Sequence, residues 1–294
     1  MKRWTFRLSP TGMLALFACW ALSGAGVAQA EVIELRVNAA TRASAEFVPG
    51  KDALPAVVLI HGFLQTRSSP VIAQLSEHLV GLGHTVLVPT LSLGIDMRRQ
   101  SLDCEALHTH TMQQDIAEIR QWVEWLAKRG ARRIVVIGHS TGALQALAYV
   151  SDHPRPEVIQ TVLLSPVYFG ARHAWLQANA AQLREQAARP NSGIEVYRFV
   201  YCDRYPAPPS ALLSYVEWDR ERSLAAVKQV AMPIYAVFGT VDPIVPADWA
   251  QALPAAGVTL ERIEGGDHFF SGMAELELDD VVEQILAGAP AEPN

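Results

Sequence analysis

Ile134-Val135-Val136-Ile137-Gly138-His139-Ser140-Thr141-Gly142 sets four β-branched residues directly before a Gly-x-Ser-x-Gly turn. A short, continuous apolar run of this kind suits a strand buried on both faces of a parallel sheet. The residues that follow, 143–150, read as a helix. A serine between strand and helix on so tight a turn has its hydroxyl pushed out above the sheet, and only small residues fit on either side. The helix that starts there points backbone N–H groups toward any negative charge developing beside the serine.

The same logic extends outward. Residues 57–60 form another apolar run, ending at His61-Gly62. Residues 71–82 predict a helix, and 85–88 a strand stopped by Pro89. Residues 113–128 carry Ile116, Ile119, Val123 and Leu126 on one helical face. Strands are expected at 158–164, 234–238 and 258–263, with a closing helix at 275–286. At the start, 32–37 alternates apolar and polar residues as an edge strand does, and 45–48 can pair with it before Pro49-Gly50. Strands alternating with helices predict a doubly wound, mostly parallel α/β sheet. Residues from about 168 to 230 break the rhythm with helical material, Pro206, Pro208 and Pro209, and several aromatics. They read as an insertion above the sheet, either a lid over the site or a structural excursion.

A serine hydroxyl is a weak nucleophile and needs a base. His268 stands in Glu264-Gly265-Gly266-Asp267-His268-Phe269-Phe270, just past the last predicted strand. The base needs a carboxylate to hold its tautomer. Asp242, in Gly239-Thr240-Val241-Asp242-Pro243-Ile244-Val245-Pro246, follows the preceding strand. Asp267 is the rival acid, but a neighbour in sequence is poorly placed to bond the same ring. The chain order Ser140, Asp242, His268 puts each group after a different strand. Near the earlier strand, the N–H of Phe63 (or Leu64) would join that of Thr141 as an oxyanion hole, with His61 bracing the loop.

These segments, with Leu59-Ile60-His61-Gly62-Phe63, resemble the α/β-hydrolase superfamily over nearly all of residues 32–288. The resemblance implies an α/β-hydrolase fold with an inserted cap, and a serine hydrolase rather than the branch that uses aspartate as nucleophile. The expected reaction is cleavage of a carboxylic ester, or a thioester or amide, through an acyl-enzyme on Ser140. A non-catalytic binding protein on the same scaffold and an acyltransferase are the alternatives. No cofactor or metal is required. Trp175, Tyr197, Tyr201, Tyr205, Tyr215 and Trp218 in the insertion suggest a small-molecule substrate with an apolar acyl part.

Composition bounds the rest. The 294 residues are 50% hydrophobic and 18% charged, with net charge -6. That is globular and excludes the basic stripe of a nucleic-acid binder. Lys2, Arg3 and Arg7, an apolar run over 13–22, and Ala28-Gln29-Ala30 read as a signal peptide over 1–30, cleaved after Ala30. The hydrolase domain is then 31–294, periplasmic or secreted, with no stable membrane span. Lipidation at Cys19 is a minor alternative. Cys104 and Cys202 remain, and both flank the C-terminal edge of the sheet, so a disulfide is expected. The competing use of Cys104 is a zinc cluster with His108 and His110. Arg98, Arg99 and Arg204 could read an anionic group.

Overall fold

The structure is a computed structural model that describes Met1, residues 29–169 and residues 174–290. The signal-peptide stretch up to 28, and Cys19 with it, lies outside the described residues.

The strands are β1 (Glu31–Arg36), β2 (Arg42–Val48), β3 (Ala56–Ile60), β4 (Val86–Thr90), β5 (Ile134–His139), β6 (Val158–Leu164), β7 (Glu195–Phe199), β8 (Cys202–Ala207), β9 (Ile234–Gly239) and β10 (Thr259–Ile263). The helices are α1 (Pro70–Leu82), α2 (Met112–Lys128), α3 (Thr141–Asp152), α4 (Ala174–Ala178), α5 (Ala180–Ala188), α6 (Pro209–Val216), α7 (Arg220–Gln229), α8 (Ala247–Ala255) and α9 (Met273–Ala287). Eight strands make one sheet in the order β1-β2-β4-β3-β5-β6-β9-β10. β1 and β2 run antiparallel at one edge, and the strands from β4 to β10 are parallel.

The apolar runs are continuous because both faces of the sheet are covered. Ala56, Val58 and Ile60 of β3, and Ile134 and Val136 of β5, pack on the side of α2 and α3. Val57 and Leu59, and Val135 and Ile137, pack on the side of α1 and α9. Local signals set the helix ends. Thr111 and Gln114 form a capping box that starts α2, and Gly83, at φ 95°, ends α1.

Three details differ from the sequence reading, the first being α8 (Ala247–Ala255), a helix it did not predict. β4 runs through Pro89 instead of stopping before it. Its pairing with β3 ends at Leu87, so the missing N–H of Pro89 falls past that ladder. The segment between β6 and β9 contains a separate antiparallel hairpin, β7–β8, as well as helices. A disulfide joins Cys202 at the start of β8 to Cys104 in the body, with Cα atoms 5.3 Å apart across 98 residues. The His108 amide adds a hydrogen bond to the Pro206 carbonyl (2.9 Å). Among the described residues, no helix is long and apolar enough to cross a membrane.

Candidate active site

Ser140 caps the N-terminus of α3 with φ 58° and ψ -120°. A non-glycine residue there stores about 1–3 kcal/mol of strain, which the surroundings must hold in place. A Cβ on Gly138 would run into the Gly142 carbonyl, and one on Gly142 into the carbonyls of Ile60 and His61. Both glycines are thus fixed by close backbone approach. The Ser140 amide donates to the Leu164 carbonyl (2.8 Å), tying the turn to the end of β6.

Three strand ends converge on this turn. The Ser140 hydroxyl donates to His268 Nε2 (2.9 Å), and His268 Nδ1–H donates to Asp242 Oδ2 (2.8 Å). The His268 and Asp242 side chains are 4% and 2% exposed, so water cannot compete for that bond. Burial raises the Asp242 pKa, but the His268 bond and charge and the Ile244 and Val245 amides outweigh it and leave it below the usual value. Close packing aligns the two loops. A Cβ on Gly239 would strike the Gly266 carbonyl, and that carbonyl accepts from the Val241 amide (3.0 Å). Asp267 takes another role. Its Oδ1 accepts from the Phe269 and Ser271 amides at 3.0 and 2.9 Å, shaping the turn that carries His268.

The sequence pattern of the Alpha/beta hydrolase family matches residues 57–284. The chain belongs to this family. No curated protein matches it at a significant level. Among solved structures it is similar to Est1E from Butyrivibrio proteoclasticus, with TM-score 0.63 and 18% identity over 87% of this chain and 97% of that one. It is also similar to a Pyrococcus furiosus esterase, with TM-score 0.60 and 19% identity over 88% of this chain and 91% of that one. The thioesterase domain from the curacin biosynthetic pathway matches with TM-score 0.60 and 14% identity over 88% of this chain and 99% of that one.

In this α/β hydrolase, Phe63 and Thr141 both line a cavity of about 10 Å³, room for one water-sized group. Thr141 is the first residue of α3, where helix geometry leaves its amide without an intrahelical partner. The loop from 62 to 65 is held from behind. His61 Nδ1–H donates to the Gly62 carbonyl (2.9 Å), and its Nε2 accepts from the Leu91 amide (3.0 Å) and Arg98 (3.2 Å). Burial, then the Arg98 charge, pushes the His61 pKa down to about 3 and keeps the ring neutral.

Arg98 is buried rather than offered to an anion. It donates to the carbonyls of Leu91 (2.8 Å), Gln65 (2.7 Å) and Gln100 (2.9 Å), and reaches that of Leu64 at 3.4 Å. Leu64 itself sits at φ 56°, a conformation the guanidinium helps to hold. Arg204 pairs on the surface with Glu105, and Arg99 is exposed. The zinc alternative loses its sulfur ligand to the disulfide, and His108 lies stacked on Tyr205 with ring centroids 3.9 Å apart.

The aromatics of the insertion mostly pack on one another. Tyr197, Tyr205, Tyr215 and Trp218 are buried, whereas Trp175 and Tyr201 are exposed. Phe63 joins them edge-on to Phe199 and Tyr201, at 5.5 and 5.4 Å, and the Tyr201 hydroxyl donates to the Phe63 carbonyl (3.2 Å). Of the six aromatics read from the sequence, Tyr215 alone lines the small cavity, beside Phe169. Sequence reasoning gave no part to His139, whose Nε2–H donates to the His268 carbonyl (2.9 Å). Its place beside the serine was the only available hint.

Proposed function

We propose that this protein is a serine hydrolase that cleaves a carboxylic ester of a small molecule through an acyl-enzyme on Ser140. The observation that carries the reading is the continuous hydrogen-bonded chain from Ser140 Oγ through the His268 ring to Asp242. Ser140 Oγ attacks the ester carbonyl while His268 Nε2 takes its proton. The carbonyl oxygen becomes an oxyanion, which accepts from the Phe63 and Thr141 amides. Asp242 keeps Nδ1 protonated and steadies the imidazolium. The tetrahedral intermediate collapses, His268 gives its proton to the departing alkoxide, and the alcohol leaves. Water, deprotonated by His268, attacks the acyl-enzyme and releases the acid and free Ser140.

The likeness to esterases agrees with an ester, and the likeness to a thioesterase domain keeps a thioester within the same chemistry. Est1E has been solved with ferulic acid bound. The reading places the protein in the periplasm or outside the cell, where the Cys104–Cys202 disulfide persists.

The test is a fluorophosphonate label followed by a panel of nitrophenyl esters of graded chain length. The wild type labels and turns over, and Ser140→Ala does neither. A folded wild type that does not label is a binding protein. Acid as the sole product in the presence of a competing alcohol separates hydrolysis from acyl transfer.

A further inference from the structure

Two turns meet at Phe63, and each places a bulky residue where the backbone favours glycine. The first is Gly62–Gln65, closed by the Gln65 amide donating to the Gly62 carbonyl (3.2 Å). Of its two central residues only Leu64 has a positive φ, 56°. That is the pattern of a type II turn, whose third residue is ordinarily glycine or asparagine. The second is the tip of the cap hairpin, Val200-Tyr201, between the paired Phe199 and Cys202. Val200 has φ 55°, an outlier for a β-branched residue. The Tyr201 hydroxyl joins the two turns by donating to the Phe63 carbonyl (3.2 Å). The Tyr201 ring stands edge-on to the Phe63 ring, with centroids 5.4 Å apart.

Type II and type I turns differ by a half-rotation of the central peptide unit. For Leu64 the type I form is the unstrained one, so the local chain favours it. The central unit here is Phe63–Leu64. Its carbonyl is the group that Tyr201 holds, and Tyr201 is its one hydrogen-bond partner among the described residues. The flanking carbonyls belong to units that the rotation leaves in place. That of Gly62 accepts from His61 and Gln65, and that of Leu64 from the Leu102 amide (2.9 Å) and Arg98 (3.4 Å). The choice between the two forms therefore falls to the Tyr201 hydroxyl. The cap holds that hydroxyl in place, because Cys202, next in sequence, is bonded to Cys104 of the body, and Phe199 packs edge-on to Phe63 at 5.5 Å. Rotation of the unit takes the Phe63 oxygen, a partial negative charge, off its donor. It then stands uncompensated beside the amide proposed to hold the oxyanion.

We infer that Tyr201 is a positioning residue for the proposed hydrolysis: its hydroxyl holds the Phe63–Leu64 peptide in the strained type II form and so keeps the Phe63 carbonyl oxygen from opposing the oxyanion. The inference rests on the ester-hydrolase reading. It makes the oxyanion site a joint product of body and cap, the body giving the amides and the cap the setting of the turn that carries one of them. The strain at Leu64 and Val200 is then held where it serves the reaction. Tyr201 touches none of the reacting atoms.

The experiment begins with Tyr201→Phe, which keeps the ring and deletes only the hydroxyl. Turnover of a nitrophenyl ester and the rate of fluorophosphonate labelling both place an oxygen in the oxyanion site. Both fall together by about 10-fold, less than the ~10²–10³ for deleting a donor outright. KM stays within about twofold, because the interaction acts on the transition state. The urea midpoint does not fall. Leu64→Gly accepts a positive φ without strain, so Tyr201→Phe/Leu64→Gly regains most of the lost rate. Tyr201→Phe/Leu64→Ala loses nearly the same side chain and keeps the strain, and it regains none. An unchanged rate in Tyr201→Phe overturns the proposal, as does a loss expressed in KM, or equal recovery by glycine and alanine. The kcat and KM of Tyr201→Phe decide the matter alone if the Leu64 variants do not fold. Labelling of the wild type keeps the two readings apart. A wild type that does not label removes the hydrolytic reading, whereas a Tyr201→Phe variant that labels as fast as an active wild type removes only the role of Tyr201.

Discussion

His139 Nε2 donates its hydrogen to the backbone carbonyl of His268 at 2.9 Å, so the residue beside the nucleophile holds the main chain of the proposed base. Burial pushes the His139 pKa down to about 4, which keeps the ring neutral and its single proton committed to this bond. His139→Leu should let the 265–270 loop drift. A misplacement on the order of 1 Å costs about 10²-fold in rate. The expected result is a lower kcat with little change in KM, with partial rescue by His139→Gln. An unchanged kcat in the leucine variant would show that Gly239–Gly266 packing positions His268 unaided.

Ser140→Ala should fold normally and lose turnover by a factor on the order of 10⁶. Circular dichroism and ester hydrolysis measured side by side check both halves of that statement.

Asp242 and Asp267 should separate cleanly. Asp242→Asn favours the wrong tautomer of His268 and should lower kcat by about 10⁴. Asp267→Asn weakens a turn whose amide bonds are 3.0 and 2.9 Å and should cost far less. The reverse ranking in kinetic assays would exchange their roles.

Removing the Cys104–Cys202 bond should weaken the protein by about 2–4 kcal/mol, below the ~4.7 kcal/mol that chain entropy suggests for a loop of about 100 residues. The bond adjoins Tyr201, whose hydroxyl donates to the Phe63 carbonyl, so activity should fall with it. Urea midpoints of the oxidised protein and of the Cys104→Ser/Cys202→Ser variant measure the first effect. Equal midpoints and equal rates would reduce the disulfide to an ornament of the hairpin.

Stability should fall as the medium is acidified from about pH 6.5. Burial lowers the pKa of His61 to about 3, and those of His108 and His139 to about 4. The unfolded chain binds more protons at these three sites, so their stabilisation is present above pH 6.5 and is lost as pH falls through the folded values. Glu118 opposes them. Burial raises its pKa from 4.5 to about 7, so its contribution is present below pH 4.5 and lost as pH rises through 7. Three groups outweigh one between pH 4.5 and 6.5, and Glu118→Gln should steepen the acid loss. Denaturant midpoints at pH 5 and 7.5 for both proteins test the sign.

The readable parts of the sequence were those governed by neighbours along the chain. Gly138 and Gly142 announce the turn because any Cβ there meets backbone. The run 134–137 announces a central strand because both of its faces are covered. The hairpin β7–β8 was not legible, because Pro206 and the short aromatic runs carry no clean alternation. Arg98 read as a surface cation, yet it is buried among carbonyls supplied by residues up to 34 positions away.

The sequence by itself determined the strand–turn–helix around Ser140, the alternation that builds the sheet, and the chain order of serine, aspartate and histidine. Those follow from steric rules and periodicities that act within a few residues. Tertiary structure brought Asp242 onto the His268 ring, as its place after the preceding strand predicts, and alone decided that Arg98 joins His61 in supporting the Phe63 loop. It also placed Tyr215 of the cap on Asp115 and His110 of the body. These outcomes depend on side-chain directions from elements about 26 to 105 residues apart. Such directions are settled by how the layers pack against one another, and no local stretch of sequence carries that information.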